Sequence, residues 1–165
     1  MKNLTIYICL SMALLSSCSP NKKESVEIQA LNLLHDLPNC TLGNFYSYYP
    51  TNEEFKELAT SLESPLDNWL KKKWVSNIEN DRWDLYIHGQ HVKLREDLKD
   101  SKVIDSKKLT MLKFEEKLDD GVWEREQYLT DGKKIYRVDI DYVRFQSKIY
   151  LIRVNHFFCE ENCHS

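Results

Sequence analysis

The side chains best suited by type to do chemistry lie in the C-terminal third. Six carboxylates, Glu115, Glu116, Glu124, Glu126, Asp139 and Asp141, are interleaved with Arg125, Arg137 and Arg153. Two carboxylates on one cavity wall work as acid and base when their surroundings push their pKa values apart. On a solvated sheet face the same residues make cross-strand ion pairs of about a few tenths of a kcal/mol each. The spacing favours this plainer reading, and no residue is assigned a catalytic role. No glycine-rich phosphate loop is present, since the four glycines are scattered, and no serine sits in a nucleophile-elbow sequence.

A second set closes the chain. His156, Cys159, Cys163 and His164 bring two imidazoles and two thiols together, the ligand types of a zinc or copper site. The spacing matches none of the common zinc patterns, and His156 falls on the apolar face of a predicted strand, so no metal or other cofactor is expected. His88 and His91 form a weaker pair, better explained as surface loop residues.

The compartment bears on those thiols. Lys2 precedes an apolar stretch, Leu4 to Leu15, too short to span a bilayer as a permanent helix, which needs about 20 apolar residues. It closes on Leu15-Ser16-Ser17-Cys18, which resembles the lipobox of bacterial lipoproteins: an aliphatic residue, two small residues and a cysteine. The resemblance implies a signal peptide over residues 1–17, lipid on Cys18, a tether over residues 18–24 and a domain from residue 25 to 165 outside the cytoplasm. Several acyl chains on one cysteine give stable anchoring where a single chain does not. Ser19 stands where lipoproteins kept at the inner membrane often carry Asp, so the resemblance points to the outer membrane. The membrane is thus the first expected partner.

In an oxidising compartment the three remaining thiols, Cys40, Cys159 and Cys163, are disulfide candidates, with one left over. Cys159 with Cys163 would close a short terminal loop; a link from Cys40 would span most of the domain. Loop-closure entropy favours the longer link, at about 4 to 5 kcal/mol against roughly 2, but geometry decides.

Charge excludes one class of partner. Removal of residues 1–17 takes away Lys2 and no acid, leaving 22 basic against 26 acidic residues, a net charge of -4. A weakly acidic chain with no long basic run carries no footprint for nucleic acid; Lys71-Lys72-Lys73 reads as a solvated helix face. The aromatic cluster Phe45, Tyr46, Tyr48 and Tyr49 is the candidate edge for an envelope or secreted protein partner, because such rings bring large area and a polar tip to an interface. Packing into the core is the competing use of the same residues.

The elements that position these groups follow from period and capping. Ser25 caps a predicted helix to about Leu37, with Ile28, Leu31, Leu34 and Leu37 as its stripe and Pro38 ending it. Thr51 and Glu54 form a capping box ahead of Phe55, Leu58, Ala59 and Leu62. Ser64 with Pro65 starts a third helix, with the stripe Leu66, Trp69, Leu70, Trp74 and Ile78. Residues Trp83 to Ile87 read as a short strand and His91 to Lys99 as a helical turn or charged loop. Four alternating segments follow, Lys108 to Lys117, Val122 to Thr130, Lys134 to Phe145 and Ser147 to Phe158, with hairpin chemistry at Asp119-Asp120-Gly121 and Asp131-Gly132.

The expected fold is therefore α+β: about three N-terminal helices covering the apolar face of an antiparallel meander of about four strands. That order, with Tyr49-Pro50-Thr51 leading into an acidic-aromatic helix, is similar to the NTF2-like, cone-shaped domains of bacterial lipoproteins; a cystatin-like arrangement is the competing pattern. Such domains include enzymes and binders, so the fold does not decide function. The function expected is a membrane-anchored, non-enzymatic interaction or ligand-binding module, for which an immunity lipoprotein that neutralises a toxin is one example. The alternative is a small envelope enzyme with a carboxylate or histidine in a cone-shaped cavity. Cys18→Ala is expected to leave an unprocessed precursor that takes up no fatty acid; normal labelling of that variant by a radioactive fatty acid would contradict the lipobox reading.

Overall fold

Alternation is the signal that shaped the C-terminal half, and the structure, a computed structural model, describes residues 24–80 and 82–162. Four strands run β1 (Thr110–Asp119), β2 (Val122–Thr130), β3 (Lys134–Phe145) and β4 (Lys148–Asn162), paired antiparallel in sequence order as a meander. In β3 the expected inward set, Tyr136, Val138, Ile140 and Tyr142, is fully buried. The hairpins turn where glycine permits a positive φ, at Gly121 (86°) and Gly132 (87°). The third hairpin uses no glycine: Gln146 (49°) and Ser147 (60°) both sit in the left-handed region, the backbone pattern that suits a tight two-residue turn.

Five α-helices, rather than about three, are found among the described residues: α1 (Val26–Asp36), α2 (Leu42–Tyr46), α3 (Asn52–Thr60), α4 (Asn68–Glu79) and α5 (Arg82–Asp100). The capping box at α3 forms as expected, with the Glu54 amide donating to Thr51 Oγ1 at 3.2 Å and the Thr51 amide to Glu54 Oε2 at 3.0 Å. Leu62 lies past the end of α3 and is fully exposed. On α1 the buried face is Val26, Gln29, Ala30, Leu33 and Leu34, while Ile28 points to solvent. Both stripes have helical spacing and share Leu34, so period alone could not choose between them.

Helix α4 starts later than its proline suggests. Asp67, not Ser64, is the N-cap, and its Oδ1 accepts the Leu70 amide at 2.6 Å. The cause is tertiary. Residues Pro65 to Asp67 lie against the β1–β2 hairpin, where the Asp67 amide donates to the Asp120 carbonyl at 3.3 Å and a Cβ at Gly121 would run into the Pro65 carbonyl. Trp69 is left on the solvent side, 62% exposed.

The largest correction is α5. The strand expected at Trp83 to Ile87 and the helical turn or charged loop expected at His91 to Lys99 form one helix, whose buried residues Trp83, Ile87, His91, Leu94 and Leu98 recur at helical spacing once His91 is counted as core. Helix α5 packs along β4, and α3 packs on α4. One continuous core joins these elements from α1 to β4, and no described helix is long and apolar enough to cross a membrane.

Strand β4 does not alternate as a single segment. Register breaks opposite Arg137–Asp139 and Asp141–Tyr142 mark bulges, and His156 takes φ 53°. The bulge turns His156 out and Phe157 in, so the face expected to run Tyr150, Ile152, Val154, His156, Phe158 breaks: His156 is exposed, Phe158 is half-buried and Phe157 is core. The Gly121 contact gives a controlled comparison. Gly121→Ala meets both a left-handed φ and a backbone clash, whereas Gly132→Ala meets the φ with open space around it. The first is expected to cost about 2 to 4 kcal/mol and the second about 1 to 2; equal shifts in the urea midpoint would contradict the packing described.

Candidate functional site

The inward residues of β3 are buried, so their neighbours Arg137, Asp139 and Asp141 must face the other way. Register then lines the outward residues into rows across the sheet. Lys117, Glu124, Asp141 and Arg153 face one another in turn across all four strands; Glu115, Glu126 and Asp139 form the next row, ending beside Asn155. Lys117 Nζ reaches Glu124 Oε2 at 2.8 Å, and Arg153 Nη2 reaches Asp141 Oδ2 at 2.7 Å. Arg137 lies between Glu126 (3.5 Å) and Asp139 (3.4 Å). The two rows, without Arg137 and Asn155 but joined by Glu116 and Arg125, wall an open trough of about 330 Å³.

Most of these pairs are solvated and contribute little to stability. Asp141 differs. Burial pushes its carboxyl up, and Glu124 and Asp139 push the same way, while Arg153 pulls against them. Opposite it stands Tyr86 of α5, whose phenol is driven up to about 12 by burial, with Arg153 opposing and Asp141 adding to the rise. The site thus holds a carboxylate, a guanidinium and a neutral phenol side by side.

Behind Tyr86 the rings of three elements pile up. Trp74 of α4, Phe55 of α3, Trp83 and Tyr86 stack in sequence, with centroid separations of 4.4, 4.1 and 5.5 Å. Trp83 Nε1 donates to the Pro50 carbonyl at 3.2 Å, fixing its ring edge. Trp69 stands at the rim with Lys73 Nζ 4.8 Å from its ring centroid. Between these rings and the sheet runs a groove of about 500 Å³, which shares Glu124, Asp141 and Arg153 with the charged trough. One continuous surface therefore passes from aromatic wall to charged rows.

Two of the carboxylate-set residues are absent from those rows. Arg125 points into the domain, its side chain 1% exposed, and donates through Nη2 to Glu27 Oε1 of α1 at 2.8 Å and through Nε to Glu116 Oε2 at 3.1 Å. Tyr142 Oη also donates to Glu116, at 2.9 Å. The Phe114 ring lies 3.6 Å from the guanidinium carbon. Burial alone would raise the Glu27 carboxyl, but hydrogen bonds from Arg125 and Ser25 outweigh it and bring it down to about 2.

The other predicted site residues fall elsewhere. Phe45, Tyr48 and Tyr49 are core rather than a binding edge: α5 covers two of them, Phe45 meeting His91 at 4.9 Å and Tyr49 meeting Trp83 at 6.4 Å, while the buried Tyr48 donates from its hydroxyl to Asp36 of α1. Tyr46 is half-buried and donates to the Asp84 carbonyl at 2.8 Å. His91 is buried on α5 and burial lowers its pKa; it is no loop residue. Cys40 is a buried free thiol pushed up by burial, so no link from Cys40 to Cys159 is made. His156 Nδ1 lies 3.1 Å from Asp139 Oδ2. Among the described residues no three His, Cys, Asp or Glu side chains converge as metal ligands. Cys163, His164 and the whole lipobox with Cys18 lie outside the described residues. Trp69 and Tyr86 went unrecognised in the sequence; the signal was that Leu66, Leu70, Trp74 and Ile78 already complete an i, i+4 stripe, leaving Trp69 beside it.

The chain matches no protein-family model, no curated protein and no solved structure. Its reading rests on its own geometry. Because the folded pKa of Glu27 is depressed, its ionised form contributes stability that is complete above about 4.5 and is lost as pH falls towards about 2. Glu27→Gln is expected to destabilise the protein at neutral pH and to flatten the pH dependence across that window. Urea unfolding of both proteins checks it, and parallel stability curves would contradict the Arg125 pairing.

Proposed function

We propose that this chain is a lipid-anchored ligand-binding module of the cell envelope, and that its site is the groove between α4, α5 and the sheet. The observation that carries the reading is the meeting of exposed ring faces, Trp69 and Tyr86, with the Asp141–Arg153 pair in one open groove of about 500 Å³. That volume is within the usual range for small-ligand sites, and a few fixed polar groups among apolar walls is their usual make-up. The core is filled with Phe45, Tyr49, Phe55 and Trp83, so the domain has no use for a ligand inside it; the surface groove is where rings and charge remain available.

The groove's chemistry selects a class of ligand. Flat rings suit the C–H faces of a sugar, and a carboxylate beside a guanidinium matches adjacent hydroxyls with an acceptor and donors. Lys73, Arg82 and Arg153 offset Asp119, Asp120, Glu124 and Asp141, so a strongly charged ligand of either sign meets like charge. A largely neutral, polyhydroxylated chain fits best, and the lipobox motivates glycan fragments of the envelope as the probe.

A second reading has one specific support. Burial pushes the Asp141 carboxyl up, and across the ladder it faces a second acid, Glu124, so the groove carries the pair of acidic side chains that glycan cleavage uses. That would make the groove a small glycan-cleaving site. Isothermal titration of the protein with N-acetylglucosamine oligosaccharides, the neutral analogue of the envelope glycan backbone, followed by mass spectrometry of those fragments, separates the two. Saturable binding with fragments intact supports the module; shortened fragments, lost in Asp141→Asn, support the enzyme. Trp69→Ala is expected to weaken binding about tenfold or more while changing stability by less than about 0.5 kcal/mol. No binding by the wild-type protein would overturn the saccharide reading.

A further inference from the structure

Among the described residues the two outer strands of the sheet differ: β4 is packed by a helix, and β1 has no strand beyond it. Helix α5 packs along β4, whereas β1 is exposed on both faces over nearly its whole length, with Leu112 51%, Phe114 41% and Leu118 56% exposed. A long uncovered edge presents unpaired backbone donors and acceptors to another strand, and natural proteins blunt such edges or use them. Here the blunting is partial. The one irregularity, a register break at Leu112 between Met111 and Lys113, leaves residues 113–119 as a regular ladder.

Those seven residues are complementary to themselves. Two copies of a strand related by a two-fold axis pair antiparallel about the sheet normal, and residues directly opposed share a face, so the centre must be a residue facing its own copy. The middle of the regular stretch is Glu116. Centred there, Glu115 faces Lys117, Phe114 faces Leu118 and Lys113 faces Asp119, each twice. The self-facing Glu116 is already matched within its own chain, by Arg125 at 3.1 Å and Arg144 at 3.8 Å. Neighbouring centres fail: at Glu115, Lys113 would face Lys117; at Lys117, Glu115 would face Asp119; at Phe114, the Leu112 bulge enters the ladder. Opposite charges and apolar pairs across strands stabilise, and like charges destabilise.

We propose that β1 is the interface of a homodimer in which two copies join edge to edge about Glu116 and continue the meander as one eight-stranded antiparallel sheet. Lys113 and Lys117, which repel a foreign strand, become the residues that fix this register. The proposal does not depend on the groove or its ligand.

Sedimentation equilibrium of the purified full chain in density-matched detergent tests it. The wild type should show twice the monomer mass. Glu115→Lys sets lysine against lysine and Lys117→Glu sets glutamate against glutamate, so each variant alone should dimerise about tenfold more weakly or worse. An equimolar mixture of the two should dimerise again, because both opposed pairs between positions 115 and 117 are then of opposite sign; that recovery also shows that both variants are folded. A wild type that stays monomeric at its highest soluble concentration would overturn the proposal. So would a dimer unaffected by either substitution, or a mixture that stays monomeric while both variants keep the wild-type circular dichroism.

Discussion

Arg125 is the constraint on which the rest of the structure depends. A guanidinium with 1% of its side chain exposed is tolerable only if its charge is met, and here two of its three nitrogens donate to carboxylates while Nη1 has no partner among the described residues. Glu27 and Glu116 meet it from two directions, one from the first helix and one from the edge strand, while Phe114 and the core close around it. The pairing therefore fixes both where α1 lies on the sheet and how β1 registers with β2. A slip of one residue in that register would turn Glu116 to the outward face and set Glu115 or Lys117 against Arg125 in its place. With Arg125 inward, the charged rows face outward and the trough exists.

The second determinant is the aromatic pile. Trp74, Phe55, Trp83 and Tyr86 tie α3, α4 and α5 into one layer without filling the space up to the sheet. The β1–β2 hairpin meets the segment before α4 at Gly121, where any side chain would collide with Pro65. The groove is what remains between those two fixed contacts. Its polar side is set by strand register and its aromatic side by helix packing, so neither wall owes its position to a mobile loop.

Elements whose signals were local were legible in the sequence. The capping box at Thr51 and Glu54, the alternation of β3 and the glycine turns each depend on a few neighbouring residues, and each formed as read. The α+β meander followed from them. Signals that tertiary contacts override were not legible. Helix α5 was hidden because His91 interrupts its stripe, and with α5 missed the choice between core and edge for Phe45 and Tyr49 stayed open. Arg125 looked like one more outward charge, since its partner Glu27 is far away in the chain. His156 left its expected face through a bulge that no glycine or proline announces. The carboxylate set itself was found, but alternation around the bulges and the buried pair sorted it into an outward group and Glu116.

The most direct measurement is amide and indole chemical-shift mapping by NMR as N-acetylglucosamine oligosaccharides are added. If the groove is the ligand site, shifts will concentrate at the Trp69 indole, at Tyr86 and along the row Glu124, Asp141 and Arg153, leaving the Gly132 turn unmoved. Saturable shifts centred on any other surface, or none at concentrations that load a control saccharide binder, would contradict the assignment of the groove.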